Sequence, residues 1–151
     1  MKKIAFILIL VGFFSTQSCK NNDCEDILCF TPPNAFLFEL VDKTSKENLF
    51  TNGTYNKTEI QLINTADNSL IEYTFIDENN YNIIQLNSIG WKTETIEYVL
   101  KINDDEIFKL YVDASRLYEN CCSFTKFNQI RIENAEYQHN NQSDIYQILI
   151  D

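Results

Sequence analysis

Residues 94–112 read ETIEYVLKINDDEIFKLYV. Ile96, Tyr98, Leu100 and Ile102 alternate with Glu97, Val99 and Lys101, and after the polar triplet Asn103-Asp104-Asp105 the residues Phe108, Leu110 and Val112 alternate with Ile107, Lys109 and Tyr111. A period of two sends successive side chains to opposite faces of an extended chain, so this stretch reads as two strands sharing one core face. The same period recurs outward in both directions. Phe36, Phe38 and Leu40 form one apolar face, with Leu37 and Val41 pointing to partial burial on the other. Ile60 and Leu62, then Ile71, Tyr73 and Phe75, then Ile130 and Ile132, and finally Tyr146, Ile148 and Ile150 repeat the pattern.

Turn-forming clusters separate these runs: Asn52-Gly53, Ala66 to Ser69, Asp77 to Asn80, Ser88 to Gly90, and His139 to Asp144. The expected fold is all-β, a single antiparallel β-sandwich of about eight short strands. At most one short helix is expected, over 113–120 (DASRLYEN), where Asp113 would cap one or two turns. With three glycines, two prolines, no repeat and no low-complexity run, the chain has no linker to divide it. Three parts follow: a leader over 1–18, a tether over 19–34, and the sandwich over 35–151.

The leader begins with Lys2 and Lys3, continues with the apolar run Ile4–Phe14, and ends in small and polar residues before Cys19. At about 1.5 Å per residue such a run is too short to cross a hydrocarbon core of about 30 Å. It reads as a secretory signal. With a cysteine at the cut site it resembles the leader of bacterial lipoproteins, and its loose approach (Thr16, Gln17, Ser18) resembles the Bacteroidetes type. The resemblance implies an acylated Cys19 and a protein held by its lipid in the cell envelope, at the outer membrane on its periplasmic or surface face. Thr16 and Ser18 also satisfy ordinary signal cleavage, in which case Cys19 merely starts a soluble secreted protein. The tether, KNNDCEDILCFTPPN over 20–34, is acidic after its one lysine and loosely resembles surface-export signals of such lipoproteins. Its other reading is a solvated spacer.

The whole chain carries a formal net charge of −10. Loss of the leader removes two lysines and no acid, which makes the mature part more acidic still, at −12. Nucleic acid is thereby excluded as a partner, because phosphate binding needs clustered Lys and Arg. Membrane attachment would come from the lipid, since stable anchoring takes more than one acyl chain.

Five cysteines in an exported chain read as crosslinks. With Cys19 set aside, Cys24, Cys29, Cys121 and Cys122 form an even set. A bond between neighbours Cys121 and Cys122 is disfavoured by geometry. The expected arrangement therefore ties the Cys24/Cys29 region to the Cys121/Cys122 region, with the order left open. The rival is a thiolate metal site, for which Cys-x4-Cys plus Cys-Cys is not a tight finger spacing.

The segment FELVDKTSKENLF (38–50), followed by Asn52-Gly53 and TEIQLIN (58–64), resembles transthyretin-like and carboxypeptidase-regulatory-like sandwiches. Catalysis is not expected. The one histidine, His139, stands in a polar loop with Ser143 and Asp144, where proximity makes no triad. The acids Glu25-Asp26, Asp77-Glu78 and Asp104-Asp105-Glu106 stand in turns, exposed. With Asn79, Asn80 and Asn103 they could supply oxygen ligands to calcium, though no EF-hand spacing is present. Trp91 is assigned to the core, as are most of the tyrosines. The reading is a membrane-anchored, non-catalytic binding or structural module without a cofactor, whose partner is a glycan, a peptide or a protein. The alternative is a secreted hydrolase or metal-dependent protein with its site on the acidic loops or cysteines.

Overall fold

A computed structural model describes residues 29–78 and 81–151. The expectations placed on the leader, Cys19, Cys24, the acids Glu25 and Asp26, and the Asn79-Asn80 turn lie outside the described residues. The described strands are β1 (Cys29–Phe30), β2 (Phe36–Asp42), β3 (Ile60–Asn64), β4 (Thr74–Ile76), β5 (Ile83–Leu86), β6 (Glu94–Ile102), β7 (Asp105–Glu119), β8 (Cys122–Glu133), β9 (Glu136–Asn140) and β10 (Ile145–Ile150). They form two five-stranded sheets, in the orders β1-β8-β7-β6-β3 and β4-β5-β2-β10-β9. Pairing is antiparallel except for β1 with β8 and β10 with β2. The fold is the all-β sandwich that the alternation predicts. Its strands are more numerous than expected: β1 and β5 are too short to alternate, β9 is polar and exposed throughout, and of the run Ile71, Tyr73 and Phe75 only the end is strand, as β4.

The quoted stretch becomes β6, a turn at Asn103-Asp104 with Asn103 at φ 54°, and the first half of β7. Leu100, Leu110, Val112, Phe38, Leu40 and Ile148 lose essentially all contact with water. Each such side chain contributes on the order of 1.5–3 kcal/mol in transfer terms. Across the layers Phe38 tilts on Phe108 with ring centroids 4.9 Å apart.

Two irregularities adjust the phase. Leu100 pairs with Phe108 but Lys101 pairs with Glu106, so Ile107 is an extra residue in β7. The resulting bulge turns Ile107 inward beside Phe108, and both are buried, although strict alternation puts Ile107 outside. On the other edge Asp113 pairs with Gln129 and Ala114 with Phe127, leaving Asn128 over. This second bulge brings Phe127 and Ile130, which are out of phase in sequence, to the same inner face.

Residues 113–119 form no helix. β7 runs through Glu119 and turns at Asn120-Cys121 into β8, with φ 49° and 69° at the two turn residues. Positive φ at both centres marks a type I′ hairpin turn, for which asparagine is well suited. Ala114 continues the inward series, and register pairing with β8 satisfies the backbone that a helix would otherwise have to satisfy internally. Among the described residues the one helical segment is the 3-10 turn Lys57–Glu59, capped by Asn56, whose Oδ1 accepts from Thr58 N at 3.0 Å.

Candidate functional site

Because β2 sends Phe36, Phe38 and Leu40 inward, it presents Leu37, Glu39 and Val41 on the outer face of the second sheet. The pairing of β10 with β2 sets Gln147 beside Glu39 and Ile145 beside Leu37. On the other side β4 and β5 bring Ile76 opposite Ile83. An aliphatic floor of Ile76, Ile83 and Ile145 results on a face that would ordinarily be polar. Tyr81, Asn140 and Ser143 stand around it, and Glu39 and Gln147 form its polar wall. The groove encloses about 500 Å³. That falls within the range of small-molecule sites, roughly 300–1,000 Å³.

Glu39 is held from both sides. Gln147 Nε2 donates to its Oε2 at 2.9 Å and Asn48 Nδ2 to its Oε1 at 3.2 Å. Asn48 is buried and fully engaged: Nδ2 also donates to the Asn82 carbonyl at 3.0 Å, and Oδ1 accepts from Phe50 N at 2.9 Å and Thr51 N at 3.2 Å. The loop after β2 is thereby clamped to the segment before β5, fixing one wall of the groove. A carboxylate offers about four acceptor sites, so two remain for hydroxyl or amide donors of a ligand. Tyr81, more than half exposed, adds an aromatic ring to the lining of the same groove. The arrangement suits recognition by hydrogen bonds around an apolar ring face.

His139 is not a loop residue. It lies in β9, where Tyr146 is its register partner, and its ring stacks on Tyr146 with centroids 4.0 Å apart. Its Nε2 meets Asp144 Oδ1 at 2.8 Å, and both residues line a cavity of about 190 Å³ at the end of the sandwich with Phe36, Phe127, Ile130 and Tyr146. Ser143 lines the groove on the outer face, not this cavity. The strand pairing brings His139 and Asp144 together and turns Ser143 elsewhere.

The acidic turns are occupied locally. Asp77 pairs with Lys57, and Glu106 accepts from Asn134 Nδ2 at 2.6 Å, while Asp104 and Asp105 are exposed at the β6–β7 turn. Among the described residues no three His, Cys, Asp or Glu side chains are grouped to hold a metal ion.

Cys29 and Cys122 form a disulfide with Cα atoms 4.6 Å apart across 93 positions of sequence. Cys121 is disulfide-bonded as well. The crosslink joins the start of the described chain to the tip of the β7–β8 hairpin.

Trp91 lies at the surface, about half exposed, and not in the core. Gly90 is the reason. At φ 88° it turns the chain sharply, with its own N–H donating to Glu94 Oε1 at 2.8 Å, and the following side chain is directed outward. There Trp91 stacks on Phe30 at 5.7 Å and donates from Nε1 to the Asn87 carbonyl at 2.6 Å. Of the tyrosines, Tyr98 and Tyr146 are buried, whereas Tyr81, Tyr118 and Tyr137 are exposed.

Sequence reading did not find the groove. Its trace is there in Leu37 and Val41, apolar on the outer side of β2, and in the consecutive Ile83-Ile84. Comparison with protein-family models, with curated proteins and with solved structures returned no match.

Proposed function

We propose that the protein is a lipid-anchored lipoprotein of the bacterial envelope that holds a glycan in the groove over β2, β5 and β10, without catalysing its conversion. The leader with Cys19 at its cut site supports the anchor. The observation that carries the binding role is Glu39, held by Asn48 and Gln147 in a groove lined also by an exposed tyrosine and an aliphatic floor. A pyranose has an apolar face for the ring and floor, and hydroxyls for the carboxylate and amides. Saccharides are favoured over a peptide because the groove's polar groups are the acceptors and amides that hydroxyls need.

Titrating the purified protein across a panel of envelope and host glycans, with a peptide library in parallel, tests this reading. Glu39→Ala should weaken the best glycan about tenfold or more, the loss of a charge-assisted hydrogen bond of roughly 1.5–3 kcal/mol. Tyr81→Ala should also weaken it, with the circular dichroism of both variants unchanged. Glycan binding indifferent to both changes, or binding of peptides alone, would overturn the assignment. For the anchor, Cys19→Ser should move the protein out of the membrane fraction, and unchanged retention would overturn lipidation.

A further inference from the structure

Past Ala114 the inner face of the first sheet continues as Arg116 and Tyr118, with β8 contributing Thr125 and Ser123 at the same register positions and β1 contributing Phe30. These positions lie beyond the buried core, and here the inward series becomes solvent-exposed. Phe30 is 60% exposed, Trp91 49% and Tyr118 67%. The shelf is rigid. Arg116 Nη1 donates to the Thr31 carbonyl at 2.9 Å and to Thr125 Oγ1 at 2.8 Å, its Nη2 donates to Ser123 Oγ at 2.9 Å, and its guanidinium lies 5.1 Å from the Phe30 ring centre. Thr125 Oγ1 in turn donates to the Gly90 carbonyl at 2.6 Å, next to Trp91. Three large aromatic side chains are thus displayed in water on a hydrogen-bonded, disulfide-fixed base.

Resting on the lipoprotein reading, we propose that this aromatic end docks on the headgroup boundary of a phospholipid bilayer and orients the domain on its anchor. The length of the intervening chain brings it there. Cys29, which the disulfide fixes beside the shelf, follows Cys19 by ten residues, a span of at most about 33–36 Å. The shelf is therefore the end of the molecule presented to the bilayer. Its chemistry selects a lipid over a sugar. The Arg116 amines and the Trp91 indole N–H are already given to protein oxygens, so the shelf offers rings and not a convergent set of donors. Trp and Tyr favour the membrane–water boundary, where one end of the ring is apolar and the other wet. The acidic mature chain gains nothing from anionic lipid, so docking should change little with salt.

Trp91 is the chain's one tryptophan and reports on its own surroundings. The acylated full-length lipoprotein is reconstituted into vesicles of phosphatidylethanolamine and phosphatidylcholine, with and without brominated acyl chains, and compared with the Cys19→Ser protein in buffer. Docking should lower iodide quenching of Trp91 about twofold or more, as a half-exposed ring leaves water, and the brominated lipid should quench it. Phe30→Ser and Tyr118→Ser should each restore iodide access while the protein stays with the vesicles. Trp91 equally open to iodide on vesicles and in buffer, in protein shown by mass to be acylated, would overturn docking alone. An unmodified Cys19 would overturn the anchor and the docking built on it.

Discussion

Single residues set the tolerances of this fold. At Gly90 a Cβ would stand 2.8 Å from Thr125 Cγ2 and 3.1 Å from Phe127, on a backbone at φ 88°. At Gly53, φ 80°, it would meet nothing within 4 Å. Gly53→Ala should therefore cost only the left-handed backbone, about 1 kcal/mol, and Gly90→Ala distinctly more, on the order of 2–4 kcal/mol. Urea midpoints of the two variants measure the difference, and equal costs would contradict the crowding at Gly90. Asn48 is a second such position, since each of its polar atoms has a partner in the buried clamp. Asn48→Ala should lower stability by about 2–3 kcal/mol and, through the loosened Glu39, weaken the glycan binding proposed for the groove. A variant of normal stability would show that the clamp contributes nothing. Residues were also where sequence reading erred. Trp91 went to the core because an aromatic near a strand usually does, and the one dihedral that turns it outward belongs to its neighbour.

Elements show the reach of the alternation and its limit. The β6–β7 pair was legible from residues 94–112 because its partners are adjacent and its turn is polar. DASRLYEN was not. Asp113, which suggested a helix cap, lies in an extended strand and Asn120 in a type I′ turn, and the pairing that decides this comes from β8, which local sequence cannot show. The bulges at Ile107 and Asn128 were hidden for the same reason, since a bulge is defined against a partner strand. The groove depends on the parallel pairing of β10 with β2, a contact between opposite ends of the chain. At this scale the Cys29–Cys122 bond fastens the short β1 to β8. Replacing both cysteines by serine should lower stability by about 2–5 kcal/mol, the range expected for a loop this long. An unchanged urea midpoint would show that strand pairing, the Arg116 contacts and the remaining disulfide at Cys121 hold β1 without this bond.

For the whole molecule, ionisation sets the limits of stability. Hydrogen bonds from the Ser45 backbone to Asp42, from the Ser69 hydroxyl to Asp67, and from Lys57 to Asp77 hold these carboxyls below their ordinary value of 3.8. Their contribution is complete above that value and is lost as pH falls through the lower folded values. Burial raises Tyr98 and Tyr146 above the ordinary 10.0. Their contribution is complete below pH 10 and is lost as pH rises through the higher folded values. Urea midpoints should be level from about pH 5 to pH 9 and fall on both sides, with late tyrosinate absorbance appearing as the fold is lost. A midpoint still level at pH 12 would contradict the burial of these two rings.

The last six-residue strand does not sit at the margin of its sheet. β10 lies between β2 and β9, so the second sheet is two unjoined pieces until it is inserted. A chain emerging amino end first has released Phe36–Asp42 long before Ile145–Ile150 exists to meet it. Closure of that sheet therefore waits until Ile145–Ile150 has emerged, and until then β2 holds one edge open for a neighbour far along the chain.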